Sequence, residues 1–163
     1  MPNQPNNHPS TSTENQQRGN DEIIMDLIGA GSTVLDLGCG EGELLERLIR
    51  DKQVAGRGVD IEESKILACV KRGISVFQGN LDEGLKDYAT NSYDYVILNQ
   101  TLQVTHNPVL VLREMMRVGK KGIVSFPNFG FLYNRLQLLF AGRMPVNRKF
   151  PFTWYNTPNI HFF

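Results

Sequence analysis

Short apolar runs alternate with amphipathic segments along most of this chain. The runs are about four to eight residues long and are bounded by glycine or polar residues, which is typical of buried strands. They lie at residues 34–37, 54–61, 74–78, 92–98 and 123–126. Helical spacing of apolar residues marks 21–28, 41–50, 64–71, 108–116 and 131–140, with a short helix at 82–88 and a turn at 119–122. Strands that alternate with helices predict an α/β fold with a doubly wound, mostly parallel sheet.

The first 19 residues differ from the rest, because they are rich in Asn, Gln, Pro, Ser and Thr and hold almost nothing to bury. A segment of this composition cannot offset the entropy that it would lose on folding. We therefore predict a disordered tail over residues 1–19. Residues 20–163 are long enough to form one domain with its own core.

Charge and composition narrow the classes of partner. Lys plus Arg equals Asp plus Glu, at 17 each, so no overall positive field attracts nucleic acid. No apolar run approaches the roughly 18 residues that span a bilayer, so we expect no membrane partner. The two cysteines indicate no disulfide framework, which favours a cytoplasmic protein. The sequence shows no metal-ligand cluster.

The most informative stretch follows the first strand, where the chain reads Gly38-Cys39-Gly40-Glu41-Gly42 and then enters a helix. Glycines let the backbone turn tightly and approach a ligand, and the free N–H groups of the helix point at the space above the turn. The third glycine comes one position earlier than in the dinucleotide fingerprint. This spacing, without any hydride-transfer site, argues against an NAD-type oxidoreductase.

An acidic residue, Asp36, stands two positions before the first glycine. The whole segment resembles motif I of class I methyltransferases, which bind S-adenosylmethionine (SAM). In that family the loop lies along the methionine part of the ligand. The resemblance implies cofactor contacts at the acidic residue and along the turn, at Asp36, Gly38, Cys39, Gly40 and Gly42. The bound form would be SAM or its product, S-adenosylhomocysteine (SAH).

Asp60 ends the second predicted strand, 18 residues after Gly42. In a βαβ unit an acidic residue at this point can accept hydrogen bonds from both ribose hydroxyls. The alternative is an Asp that only caps a helix or lies on the surface. We expect the ribose role, with Ile61 beside it in the cofactor site.

Asn80 and Leu81 follow the third predicted strand. At this corner the methyltransferase family usually has Asp, which takes the adenine amino group, and an apolar residue that packs on the ring. Asn80 can still accept through its amide oxygen but lacks the charge. The resemblance therefore implies an adenine site at this pair, with weaker binding than the usual Asp gives.

Polar residues also follow the fourth predicted strand, at the carboxyl edge of the sheet where open α/β folds bind ligands. Asn99 and Gln100 are candidates for the reacting end of the site, and Asn99 is also a candidate cofactor contact. Loop capping is the alternative role for both. His106 could act as a general base because imidazole titrates near neutral pH, although a loop histidine is often incidental.

The strongest resemblance lies in the second half of the chain. Residues 99–103, 125–130, 135–139, 142–145 and 154–161 are similar to the MetW family, bacterial methyltransferase-like proteins of methionine biosynthesis. The resemblance covers roughly residues 21–161. It implies a partner, a homoserine O-acyltransferase of the MetX type, which makes the activated homoserine ester.

Eleven of the fifteen aromatic residues lie between Phe126 and Phe163. The methyltransferase family continues with two strands that would follow residue 163, so the resemblance implies a sheet that lacks the last strands. An aromatic-rich surface left uncovered implies a partner. We expect residues 129–163 to form a homodimer or to dock another protein.

Two functions stay open on the sequence. One is a catalytic SAM-dependent methyltransferase that acts on a small molecule, where the main task of the protein is positioning and desolvation. The other is a non-catalytic subunit that keeps the SAM site and tunes the acyltransferase. The chain offers no evident base or nucleophile dyad to decide between them.

Overall fold

A central parallel sheet organises the molecule, which is described here from a computed structural model. The structure describes residues 11–147, 152–153 and 156–161, with the backbone alone for 11–18. Within these residues the sheet has five strands in the order β3-β2-β1-β4-β5. The strands are β1 (Thr33–Leu37), β2 (Ala55–Asp60), β3 (Ser75–Gln78), β4 (Tyr93–Asn99) and β5 (Gly119–Ser125).

Helices α1 (Thr11–Leu27), α2 (Glu43–Lys52), α3 (Glu63–Lys71) and α4 (Pro108–Val118) pack on the two faces of this sheet, and α5 (Leu132–Ala141) follows β5. Within the described residues all strand pairings are parallel, and β1 lies at the centre, where Leu35 is in register with Arg57 and Val96. Parallel strands need crossover connections, and α2, α3 and α4 supply three of them, while the β3–β4 connection contains only a 3-10 turn. The predicted fold class, a doubly wound α/β sheet, is confirmed.

Two apolar clusters, one on each face, hold the helices to the sheet. On one face Val34 and Ile97 pack with Leu45 and Leu48 of α2 and with Ile24 and its neighbours on α1. On the other face the side chains of β1 and β4 pack against α4, as a cluster that includes Leu35, Leu37, Val96, Leu98, Val111 and Met115. Alternate residues of a strand point to opposite faces, so the central strands are apolar on both sides.

The first helix is longer than the sequence indicated. It begins at Thr11 rather than at residue 21, and so occupies half of the predicted disordered tail. Glu14, Gln16, Gln17 and Arg18 are adequate helix formers, and a helix already anchored by Ile24 and Met25 can extend through them. Residues 1–10 of the predicted tail lie outside the described residues.

Two shorter elements also differ from their predictions. The helix expected over 82–88 is only a 3-10 turn, Leu81–Glu83, because Gly84 has a φ of 85° that ends it. The turn expected over 119–122 belongs instead to β5. Gly119 fits there because a Cβ would lie 2.6 Å from a methyl carbon of Val96. A second 3-10 turn, Leu102–Val104, follows β4.

Helix α5 presents large apolar side chains to solvent. Leu132, Leu139 and Phe140 are 63%, 73% and 82% exposed. No helix in the described part of the chain is both long enough and apolar enough to cross a bilayer.

Candidate functional site

The turn after β1 is fixed by hydrogen bonds to the neighbouring strand. The N–H groups of Gly38 and Cys39 both donate to the carbonyl of Val59, at 2.7 and 3.1 Å, and Gly42 N–H donates to the Cys39 carbonyl at 3.0 Å. Gly38, Gly40 and Gly42 have φ values of 74°, 57° and 81°, in the left-handed region that favours glycine. Helix α2 begins directly afterwards at Glu43.

The three glycines of the turn serve two different purposes. A Cβ on Gly38 would collide with the side chain of Thr101, and one on Gly42 would lie 2.5 Å from Ile74 and 2.9 Å from the Cys69 sulfur. These two glycines therefore allow close packing. A Cβ on Gly40 would meet no atom within 4 Å. The backbone at Gly40 thus borders open space above the turn, where a ligand can lie against it.

Asp60 ties the turn to the end of β2. Its carboxylate accepts the Gly40 N–H at 2.9 Å through Oδ2 and the Glu62 N–H at 3.0 Å through Oδ1. The side chain is 6% exposed. Each carboxylate oxygen can accept more than one hydrogen bond, so capacity for a ligand hydroxyl is left. Ile61 follows it at the sheet edge with 62% of its surface exposed.

Asn80 caps the first 3-10 turn. Its Oδ1 accepts the Asp82 N–H at 3.1 Å, and its Nδ2 donates to Glu83 Oε1 at 3.1 Å. Together with Leu81 it lines a cavity of about 360 Å³ on the α4 face of β2 and β3. Phe77 lies in the same cavity, with the Arg57 guanidinium 5.2 Å from its ring centre.

The corner after β4 is built around the amide of Asn99. Its Nδ2 donates to Asp21 Oδ1 at 3.1 Å, and its Oδ1 accepts a short hydrogen bond from the Ser125 hydroxyl. Gln100 follows with a φ of 54°, and its N–H donates to the Ser125 carbonyl at 2.9 Å. The Gln100 carbonyl accepts from Gln103 Nε2 at 2.7 Å. Asn99 is therefore held from helix α1 on one side and from β5 on the other.

Asp21 is a buried carboxyl group at this corner that the sequence analysis did not identify. It is 6% exposed and lies 3.8 Å from the guanidinium of Arg47. A signal was present, because Asp21 stands three residues before Ile24 and seven before Ile28, on the apolar face of α1. An acidic side chain in a buried stripe indicates a polar partner or a ligand. Burial raises the pKa of Asp21, although Arg47 and Asn99 act in the opposite direction.

Asp36 is the most deeply buried carboxyl group of the site, at 2% exposure. It stands two residues after Val34 on β1, so its side chain points to the same face, which α1 and α2 cover. Within the described part of the chain, its Oδ1 has no hydrogen-bond partner. Burial raises the pKa of Asp36 to about 7, and the charges of Asp21 and Asp60 act in the same direction.

Cys39 packs under the turn against the other cysteine. The sulfur atoms of Cys39 and Cys69 lie 3.9 Å apart, and both thiols are free. Burial raises the pKa of both thiols, so neither is a reactive thiolate at neutral pH. The sequence had placed them in separate elements, and only the packing of α3 against the turn brings them together.

His106 lies on the surface of the described structure. It is exposed, and its backbone N–H donates to Asp82 Oδ2 at 3.1 Å, which places it beside the first 3-10 turn. The described residues contain no group of three or more His, Cys, Asp or Glu side chains arranged to hold a metal ion.

The end of the chain returns to the corner after β4. The N–H groups of Ile160 and His161 donate to the Gln103 carbonyl at 2.8 and 3.1 Å, and a ring nitrogen of His161 lies 3.1 Å from the Thr105 carbonyl oxygen. Of the surface predicted over 129–163, residues 148–151, 154–155 and 162–163 lie outside the described residues.

Comparison with known proteins gives the family. The chain matches the family described as "Methionine biosynthesis protein MetW" over residues 18–163. It is 40% identical over 164 aligned positions to the "Bifunctional methionine biosynthesis protein MetXA/MetW" of Rhodopirellula baltica. That alignment covers 95% of this chain and 26% of the relative, so the chain spans about a quarter of its length. A demethylmenaquinone methyltransferase of Shouchella clausii is 26% identical, over 83% of this chain and 66% of that protein.

Solved structures give the same fold. A SAM-dependent methyltransferase from Thermotoga maritima superposes with a TM-score of 0.63 at 22% identity, over 77% of this chain and 58% of that one. A SAM-dependent methyltransferase from Archaeoglobus fulgidus superposes with a TM-score of 0.62 at 25% identity, over 83% of this chain and 63% of that one. The sheet and the comparisons agree on a class I SAM-methyltransferase fold, and the chain belongs to the MetW family of methionine biosynthesis proteins.

Proposed function

We propose that this chain binds SAM or SAH along the carboxyl edge of its sheet. The open space at Gly40 supports this proposal, because a Cβ there would fill the position that the methionine part of the ligand needs. Gly38, Gly40 and Gly42 would border the methionine part, with Asp36 beneath them and Cys39 within the turn. Asp60 would hold the ribose.

In the same proposal Asn80 and Leu81 flank the adenine, with Ile61 on its other side. The Asn80 amide already caps the 3-10 turn, so it offers the adenine only its remaining hydrogen-bonding capacity. Asn99 and Gln100 stand at the methionine end. His106 lies beside the 3-10 turn, which makes it a poor candidate for a general base at the methyl group.

We further propose that the chain is a regulatory partner of a homoserine O-acyltransferase of the MetX type in the cytoplasm, where its thiols would stay reduced. The observation that carries this is the bifunctional relative, in which a segment 40% identical to this chain belongs to one polypeptide named MetXA/MetW. Fusion keeps two domains at a high effective concentration, which is useful when they act together. SAM is made from methionine, so its binding would report the level of the end product.

Regulation of this kind requires that SAM bind the free chain and the complex with different affinities. Asn99 connects the proposed ligand site to β5 through Ser125, and β5 leads into the segment that carries α5. The exposed apolar side chains of α5 make residues 129–163 our candidate for the docking surface, either for the acyltransferase or for a second copy of this chain.

The test is homoserine acylation by the MetX-type enzyme of the same organism, measured with and without this chain and with and without SAM. We expect the chain to change the acylation rate and SAM to modulate that change. The variant Asp60→Ala should abolish the response to SAM, and Asp26→Asn, at an exposed position of α1, should leave it intact. An acylation rate that is the same with and without the chain under all conditions would refute the regulatory proposal.

A second candidate function is methyl transfer to a small molecule, and the similarity to a demethylmenaquinone methyltransferase favours it. When bound, SAM would supply the methyl group, and the chain would orient it and exclude water. Transfer of labelled methyl to a metabolite extract, lost in Asp60→Ala, would support this function.

A further inference from the structure

Helix α1 contributes a carboxylate to the methionine end of the proposed site. Asp21 is almost fully buried, and its Oδ1 accepts from the amide of Asn99 at 3.1 Å. Asp36 points to the same face of the sheet, where α1 packs. The two carboxyl groups are close enough for the charge of Asp21 to raise the pKa of Asp36, as does the charge of Asp60, whose carboxylate accepts the Gly40 N–H.

This end of the site carries more negative than positive charge. Asp21, Asp36 and Asp60 are all buried. Arg47 lies 3.8 Å from Asp21 Oδ2, and 29% of its side chain is exposed. Asp36 Oδ1 is buried without a hydrogen-bond partner in the described part of the chain. Buried carboxylates are costly unless a cation compensates them, so a positively charged ligand group is favoured here.

The strand order indicates which ligand group this is. If the adenine lies over β3 and the ribose over β2, the amino-acid end of SAM or SAH reaches β1 and points towards β4. That end carries an α-ammonium group, which both ligands share, whereas the sulfonium belongs to SAM alone. We propose that Asp21 is a specificity-determining residue that makes the site select ligands with the methionine α-ammonium group. This inference rests on the proposed SAM site.

Three ligands with the same adenosine separate the contributions. SAM carries the ammonium, the α-carboxylate and the sulfonium, SAH carries the first two, and 5′-methylthioadenosine carries none of them; loss of the Asp21 charge would relieve repulsion of the carboxylate, so weaker binding of SAM and SAH in Asp21→Asn would report the ammonium. Their dissociation constants would be measured by isothermal titration calorimetry at pH 7, where an α-amino group is mostly protonated. Thermal melting of each variant would report whether it folds.

Asp21→Asn removes the charge and keeps the shape of the side chain. We expect it to raise the dissociation constants of SAM and SAH by a similar factor, roughly tenfold for charges at this range. The dissociation constant of 5′-methylthioadenosine should change by less than about twofold. Asp26→Asn removes the same charge from the exposed face of the same helix and should change none of the three. Arg47→Gln removes the compensating cation and should lower the dissociation constants of SAM and SAH by about threefold.

The outcomes separate this inference from the proposal beneath it. Should the wild-type chain bind none of the three ligands, the proposed SAM site fails and the inference with it. If SAM and SAH bind but Asp21→Asn weakens all three ligands equally, Asp21 is structural and the inference alone is wrong. It is also wrong if Asp21→Asn loses far more affinity for SAM than for SAH, since the sulfonium would then be the group that is recognised.

Discussion

The two halves of the carboxyl edge are stabilised in opposite ways. In the β1–β2 half, the turn from Gly38 to Gly42 and the Asp60 side chain satisfy each other through backbone N–H donors. In the β1–β4 half, Asp36 is buried with an oxygen that has no hydrogen-bond partner among the described residues, and Arg47 compensates Asp21 only partly. The first half is organised before any ligand arrives. The second half keeps an electrostatic cost that a cationic ligand can relieve.

The largest expected effect tests the unfavourable half. The pKa of Asp36 rises from 3.8 to about 7 on folding. Between those pH values the folded chain binds more protons than the unfolded chain, so wild-type stability falls as pH rises from about 4 to about 7 and levels off above. The loss is at most roughly 4 kcal/mol at about 1.4 kcal/mol per pKa unit. The variant Asp36→Asn should not show this loss of unfolding free energy.

Urea unfolding from pH 4 to pH 8 measures this difference between wild type and Asp36→Asn. The stability of the variant relative to wild type should grow with pH and reach its maximum above about pH 7. Asp26→Asn serves as the control for loss of an exposed carboxylate. Stability curves that run parallel over the whole range would show that Asp36 is not buried as an uncompensated acid.

The next effect tests the well-organised half. Gly42→Ala combines a strained φ with overlap against Ile74 and Cys69, so we expect a loss of about 3 kcal/mol in unfolding free energy. Gly40→Ala meets only the φ strain and should cost about 1 kcal/mol. For SAM binding we expect the opposite order, with Gly40→Ala weakening the affinity more than Gly42→Ala, because an alanine methyl at position 40 would occupy the ligand space. Equal stability of the two variants would contradict the packing described for the turn.

The smallest effect tests the hydrogen bond between the two sides of the β4 corner. Ser125→Ala removes the donor to Asn99 Oδ1, and we expect a loss of about 1 kcal/mol in unfolding free energy. Ser75→Ala, at an exposed position of β3, is the matched control. If both variants unfold at the same urea concentration, the Ser125 contact adds nothing to the stability of this corner.

Local pattern was sufficient for the sheet and the glycine turn, because their signals lie within a few residues of each other. The strand 34–37, the glycines that follow and the helix from Glu43 all agree with the periodicity of the sequence. The fifth strand was predicted from residue 123, but its start at Gly119 was missed because the two glycines and two lysines of residues 119–122 have poor strand propensity. The strand starts at Gly119 because of a tertiary contact, since a glycine is needed beside Val96.

The partners of Asn99 could not be predicted, for the same physical reason. Asp21 is 78 residues away in the chain and Ser125 is 26 residues away. No motif joins three such positions, and only the packing of α1 and β5 around β4 brings them together. The start of α1 at Thr11 was also missed, because composition describes an isolated segment and not one that extends a packed helix.

The paired thiols under the turn have a practical consequence for labelling experiments. Thiol-directed reagents react with thiolates, and burial keeps Cys39 and Cys69 protonated at neutral pH. These are the two cysteines of the chain. A single substitution at an exposed position, such as Thr90→Cys, would therefore give one fast-reacting handle for a fluorophore in an otherwise native protein.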